Sequence, residues 1–275
     1  VSQLTQAPGS LVYARPVRIL FIADIVGKPG RAGLARSIGD LRAQHSPDLV
    51  VANGENAAGG LGITEKTALE LYETGVDVIT LGNHTYRHRE VYDYLDAEQR
   101  IVRPANYMKS SPGHGSTVVE AAGRRVAVVN LSGQVQMRAA RSPFTEIDSI
   151  LDGLEGKADV AFVDFHAEVT SEKIAMGWHL DGRVAAVVGT HTHVPTADAR
   201  VLPQGTAFIS DVGMTGSRDS VLGVRWEQAV EGFRTQLPVR FTTAEENVWV
   251  NAVVVSVRDD GLAESIEQIL MPAPG

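Results

Sequence analysis

The order of apolar runs and helical periods predicts an α/β chain folded as a four-layer α/β/β/α sandwich, two stacked mixed sheets flanked by helices. Three observations carry that prediction. Strands and helices alternate early in the chain, strand-rich segments dominate later, and short polar clusters stand at the ends of strand-like runs, where open α/β sheets gather their ligands.

Residues 17–24, VRILFIAD, read as a buried strand, and residues 30–43 follow as a helix with Leu34, Ile38 and Leu41 on one face. Pro47 and Asp48 open the next strand, DLVVA, which runs into a turn through Gly59, Gly60 and Gly62. Thr64 caps the following helix, and Glu65 in its first turn favours the helix dipole. A third strand over 76–81 ends at Gly82, and a helix follows near 90–98. Residues 116–120 and 125–131 then flank Ala122-Gly123 as a hairpin. Further strands over 160–164 and 184–188 enclose a helix over 171–180. Strands at 206–210 and 248–258 come next, and Gly261 before 266–270 closes the chain with a hairpin.

A chain of 275 residues, 44% hydrophobic, is long enough for one large domain, expected over 17–275. Residues 1–16, with Gln, Ser, Pro and Gly but no apolar signal region, read as a flexible extension. The net charge of -8 argues against a broad footprint for extended nucleic acid or anionic membrane. No apolar run is long enough to span a bilayer. The absence of cysteine excludes disulfides, thiolate metal sites and a cysteine nucleophile, and suits a cytoplasmic location.

The polar clusters are Asp24, then Asn53-Gly54-Glu55-Asn56, then Gly82-Asn83-His84, and Gly189-Thr190-His191-Thr192-His193, with His166 after the strand at 160–164. Taken alone, Asp24 is a turn former and Asn83-His84 a surface turn. Together they supply the carboxylates, amides and imidazoles that a pair of divalent cations needs. Glu55 has two oxygens with which to bridge neighbouring cations. His191 and His193, one residue apart, point the same way in an extended segment. Asn83 can ligate through oxygen, while His84, unless bound to metal, can donate a proton to a departing oxygen. His45, His88, His114 and His179 lie outside the pattern, and neither a P-loop nor a G-x-S-x-G elbow occurs.

The blocks Asp24-Ile25-Val26, Gly54-Glu55-Asn56, Gly82-Asn83-His84-Thr85, His166 in DFHAE and Gly189-Thr190-His191-Thr192-His193 resemble those of the calcineurin-like metallophosphoesterase superfamily. The longer strings DIVGKPGR, VANGENAAGG, TLGNHTY, VVGTHTHVPTAD and ISDVGMTG are similar to its YmdB-like bacterial branch, associated with cyclic nucleotide phosphodiesterase activity. Two departures from the broad pattern stand out: Val26 replaces a histidine, and Glu55 replaces the bridging aspartate.

The resemblance implies the calcineurin-like fold and two divalent or mixed-valence metal ions, iron or manganese first and zinc next. Asp24, Glu55, Asn56 and His193 would hold one ion, and Glu55, Asn83, His166 and His191 the other. It further implies in-line hydrolysis of a 2′,3′- or 3′,5′-cyclic nucleotide by a hydroxide bridging the ions, with Asn83 and His84 catalytic, and self-association of the chain. A phosphomonoesterase, protein phosphatase or nuclease built on the same centre is the nearest alternative. A metal-dependent RNA- or nucleotide-binding regulator without catalysis is the alternative of another class, weakened by the lack of a basic, aromatic-rich stripe.

Overall fold

Alternation along β1 (Val17–Ile22) sends Ile19 and Phe21 to one side and Leu20 and Ile22 to the other, and both sides are buried. In a computed structural model describing residues 16–275, that double burial defines the layers. The expected extension falls almost wholly outside the described residues.

β1 lies between β3 (Leu49–Asn53), parallel to it, and β13 (Val248–Val257), antiparallel to it. Beyond β3 come β4 (Val78–Thr80) and β5 (Ile101–Val102), both parallel. β13 also pairs with β14 (Ala263–Pro272) and with β12 (Met214–Ser217), and β12 pairs with β2 (Asp24–Ile25). The second sheet runs in the order β10 (Arg200–Val201), β11 (Ala207–Ile209), β9 (Ala186–Thr190), β8 (Val160–His166), β7 (Arg124–Ser132), β6 (Ser116–Ala121). Its four central strands are parallel and its outer strands antiparallel, so both sheets are mixed.

Ile19, Phe21, Val51, Val128, Phe162, Val188 and Val253 fill the space between the sheets, with the Phe21 and Phe162 rings 5.6 Å apart. On the outer face of the first sheet, Leu20, Ile22 and Val50 meet Leu34, Ile38 and Leu41 of α1 (Gly27–His45) and Leu71 of α2 (Glu65–Thr74). A single turn of 3-10 helix, Arg89–Val91, leads into α3 (Tyr92–Ala97), whose Leu95 joins the same layer. On the outer face of the second sheet, Val129, Leu131 and Phe165 meet Ile147 of α4 (Pro143–Leu154) and Met176 and Leu180 of α5 (Thr170–Leu180). The result is the expected four-layer sandwich. α6 (Trp226–Thr235) lies outside these layers, with Ala229 its buried residue.

Local chemistry explains the boundaries. The Thr64 hydroxyl accepts from the Thr67 N–H at 3.3 Å while the Thr67 hydroxyl accepts from the Thr64 N–H at 2.9 Å, a reciprocal cap. Ala122 and Gly123 both take positive φ, 49° and 75°, as a two-residue turn between twisted antiparallel strands requires. α1 starts at Gly27, three residues before its expected start at residue 30, and α4 escaped the sequence reading although Phe144, Ile147, Ile150, Leu151 and Leu154 recur at helical spacing and pack in the outer layer.

Candidate metal centre

The parallel strands of both sheets end at one rim, and the polar clusters meet there. Asp24 follows β1, Glu55 and Asn56 follow β3, and Asn83 and His84 follow β4. From the facing sheet come His166, the last residue of β8, and His191 and His193, just beyond β9. All eight sequence-predicted site residues are therefore linked through one another.

Glu55, His166 and His191 each present one ligand atom within 4.8 Å of the others. His166 Nε2 lies 3.0 Å from Glu55 Oε1, 3.0 Å from Asn83 Oδ1 and 3.0 Å from His191 Nδ1. The partners of the other ring nitrogens decide what these atoms are. The Thr190 hydroxyl gives its proton to Asp164 Oδ1 at 2.7 Å, so it accepts from His166 Nδ1 at 2.9 Å and leaves Nε2 as a lone pair. His191 Nε2 donates to Glu168 at 2.9 Å, which leaves its Nδ1 as a lone pair too. Two imidazole lone pairs, an amide oxygen and a carboxylate thus converge without a donor among them, which is the donor set of a cation site. Without a cation, a proton on His166 relieves the crowding. Burial opposes that charge, yet Glu55, followed by Asp24 and Asp164, pushes the ring up to about 9. Burial, with His166 beside it, drives His191 down to about 3.

A second arrangement adjoins the first. Asp24 is fully buried, and its Oδ1 has no hydrogen-bond partner among the described residues, standing 3.8 Å from His193 Nε2 and 4.0 Å from His166 Nδ1. Burial raises its carboxyl above the usual range despite the neighbouring imidazoles. His193 Nδ1 donates to the Leu222 carbonyl at 3.0 Å, so its Nε2 also faces inward as a lone pair. The orphaned carboxylate oxygen and this imidazole fit a cation. Asn56 presents Nδ2, not Oδ1, to His193 Nε2 at 3.1 Å and to Glu55 Oε1 at 3.4 Å. Ligation through its oxygen needs a half-turn of the amide. His84 Nδ1 donates to Asn56 Oδ1 at 2.9 Å and lies 3.3 Å from Glu55 Oε1, while its backbone N–H donates to Glu55 Oε2 at 3.0 Å.

Backbone geometry reserves the room. A Cβ on Gly82 would land against Glu55 Oε2 and the His166 ring, so only glycine leaves that space open. His191 and His193 adopt positive φ, 99° and 64°, uncommon for non-glycine residues and typical of functional strain.

Several supporting residues escaped the sequence reading. Asp164 accepts from Thr190, from Thr80 at 2.5 Å and from Asn53 at 2.9 Å, and burial pushes its carboxyl up to about 6. Asp211 accepts from the Thr192 N–H at 3.1 Å and hydroxyl at 2.8 Å, and is paired with Lys173 at 2.7 Å. A charge at an inward position of an apolar strand was the available signal for Asp164. Asp211 stood inside the string ISDVGMTG with no role attached to it, and Lys173 gave no signal.

The sandwich and its rim of carboxylate, amide and imidazole donors define an α/β/β/α protein with a candidate cation site where its two sheets meet. The family model for YmdB-like proteins matches residues 20–269, and the chain belongs to that family. It is 46% identical over 256 residues to a 2′,3′-cyclic-nucleotide 2′-phosphodiesterase of Bacillus subtilis, covering 93% of this chain and 97% of that protein. Among solved structures, a hypothetical protein from Thermus thermophilus superposes with a TM-score of 0.88 at 40% identity, covering 94% of this chain and 100% of the other. A phosphatase from Mycoplasma pneumoniae also gives 0.88, at 33% identity, with 94% of each chain covered. The group Glu55, His166 and His191, with its oxygen and nitrogen donors, fits a divalent metal ion.

Proposed function

We propose that the chain, acting as one unit over 17–275, is a cytoplasmic metal-dependent phosphodiesterase that hydrolyses small cyclic nucleotides, 2′,3′-cyclic foremost and 3′,5′-cyclic next. The observation that carries the reading is the convergence of Glu55, Asn83, His166 and His191 lone pairs at one point. The 46% identity to a cyclic-nucleotide phosphodiesterase supports the substrate class. Asp24, Glu55, Asn56 and His193 would hold one cation and Glu55, Asn83, His166 and His191 a second. Oxygen and nitrogen donors suit iron or manganese, with zinc next.

When bound, such cations supply a water deprotonated at neutral pH and neutralise charge on phosphoryl oxygens. Glu55, beside His166 of one group and Asn56 of the other, would lower the repulsion between two cations held there. Asn83 is exposed at the rim, so its amide can also touch a phosphoryl oxygen. His84, held through Nδ1 by Asn56 and Glu55, keeps Nε2 free to protonate the ribose oxygen as its bond to phosphorus breaks. For a 2′,3′-cyclic nucleotide the product is a nucleoside monophosphate.

The similar Mycoplasma pneumoniae phosphatase favours a monoesterase as the second reading. Turnover of 2′,3′- and 3′,5′-cyclic nucleotides, linear dinucleotides and phosphomonoesters by manganese-loaded protein separates the two. Cyclic diesters should be cleaved well above monoesters. His84→Ala should slow turnover by about 10²–10⁴-fold with metal content unchanged, whereas Asp24→Ala should lose metal and activity together. Preference for monoesters, or full activity in both variants, would overturn the assignment.

A further inference from the structure

On β13, Trp249 and Asn251 share the face of Val253 and Val255, which lie between the sheets. Toward the rim that face opens instead into a cavity of about 270 Å³, bounded also by His193, Met214, Arg218 and Leu222. Asn251 is 8% exposed, yet its side-chain amide makes no hydrogen bond to any described residue. Its amide faces the cavity, so its donor and acceptor are open to a ligand that enters it. Trp249 is fixed by its Nε1–H donating to Asn247 Oδ1 at 2.9 Å, and the Arg218 guanidinium lies 4.1 Å from the centre of its ring. His193 belongs to both places, because the ring that faces Asp24 also borders the cavity. A hollow of about 420 Å³ elsewhere lies beside Asp159 and Val160, at the starting end of β8, and contains none of the site residues.

Each feature selects against other occupants. A second phosphate has no use for an indole, a lipid chain has none for an amide and a guanidinium, and a polyanion needs more than one arginine. A flat heteroaromatic with hydrogen-bonding edges uses all of them: it stacks on indole or guanidinium planes, and its edge pairs with an amide. We propose that this cavity seats the nucleobase of a nucleotide whose phosphodiester lies at the metal centre, an inference that rests on the phosphodiesterase reading above. Trp249, Arg218 and Asn251 then determine preference among diesters without taking part in bond cleavage.

The test compares adenosine 2′,3′-cyclic phosphate with methyl riboside 2′,3′-cyclic phosphate, which lacks a base, on manganese-loaded wild type, Trp249→Ala, Trp249→Phe and Asn251→Ala. Binding of adenosine monophosphate to the same proteins is measured by calorimetry. Trp249→Ala should lower kcat/KM for the adenosine substrate and weaken monophosphate binding, each by about 5- to 150-fold. Metal content and the methyl riboside rate should stay within about twofold of wild type, and Trp249→Phe should recover most of the loss because it keeps a stacking plane. Equal losses on both substrates, no loss on either, or no advantage of the adenosine substrate in wild type would overturn the inference. Should wild type cleave neither diester, the phosphodiesterase reading falls. The cavity is then decided by monophosphate binding alone: unchanged affinity in Trp249→Ala overturns it, and selective loss upholds it.

Discussion

One buried carboxylate, Asp164, orients the His166 ring through the Thr190 hydroxyl. Its oxygens accept from Thr190, Thr80 and Asn53, and Thr190 in turn accepts from His166 Nδ1. The chain of bonds fixes both the tautomer and the direction of the His166 ring, turning Nε2 toward Glu55, Asn83 and His191. Thr190→Val keeps the shape and removes the hydroxyl, so metal affinity should fall by about 10–100-fold, while Thr190→Ser should bind metal nearly as wild type does. Calorimetric titration with manganese separates the outcomes, and equal affinities in the two variants would refute the role. His166 itself was legible as a strand-end imidazole. Asp164 was legible only through parity: Phe162, Asp164 and His166 alternate onto one face, and Phe162 lies between the sheets.

At the scale of elements, the turn after β9 carries the strain. His191 and His193 both hold positive φ, and Thr192 between them is clamped by Asp211, whose buried partner is Lys173 of α5. A fully buried ion pair seldom adds net stability, but removing one partner strands the other charge. Lys173→Met should therefore cost about 3–5 kcal/mol of unfolding free energy. It should also weaken metal binding, because the turn loses its anchor. Denaturant unfolding checks the first effect and metal titration the second; wild-type values in both would contradict this account. Several of the elements that escaped prediction have a physical reason. β2, β5 and β10 are two residues long, too short to show alternation, and α6 turns Trp226 and Phe233 to solvent in place of a core stripe. Long strands buried on both faces, such as β1, β3 and β8, were legible as continuous apolar runs.

Across the whole molecule, the centre exists only where the sheets meet. The first sheet supplies Asp24, Glu55, Asn56, Asn83 and His84, and the second His166, His191 and His193. The aromatic and β-branched packing between the sheets, Phe21 against Phe162 among it, sets the distance between these two sets. Sequence order could supply each set but not their convergence, which depends on how the layers stack. The chain's net charge of -8 and the buried carboxylates Asp24 and Glu55 would be offset by cations bound at this rim. The central claim is that Glu55 joins two neighbouring cation sites. Its most direct measurement is the manganese stoichiometry of the metal-stripped and reloaded chain, by elemental analysis after equilibrium dialysis, in wild type and Glu55→Gln. Two ions per wild-type chain and fewer than one in Glu55→Gln are predicted; a wild-type chain holding one ion or none, or a variant that still holds two, would contradict the claim.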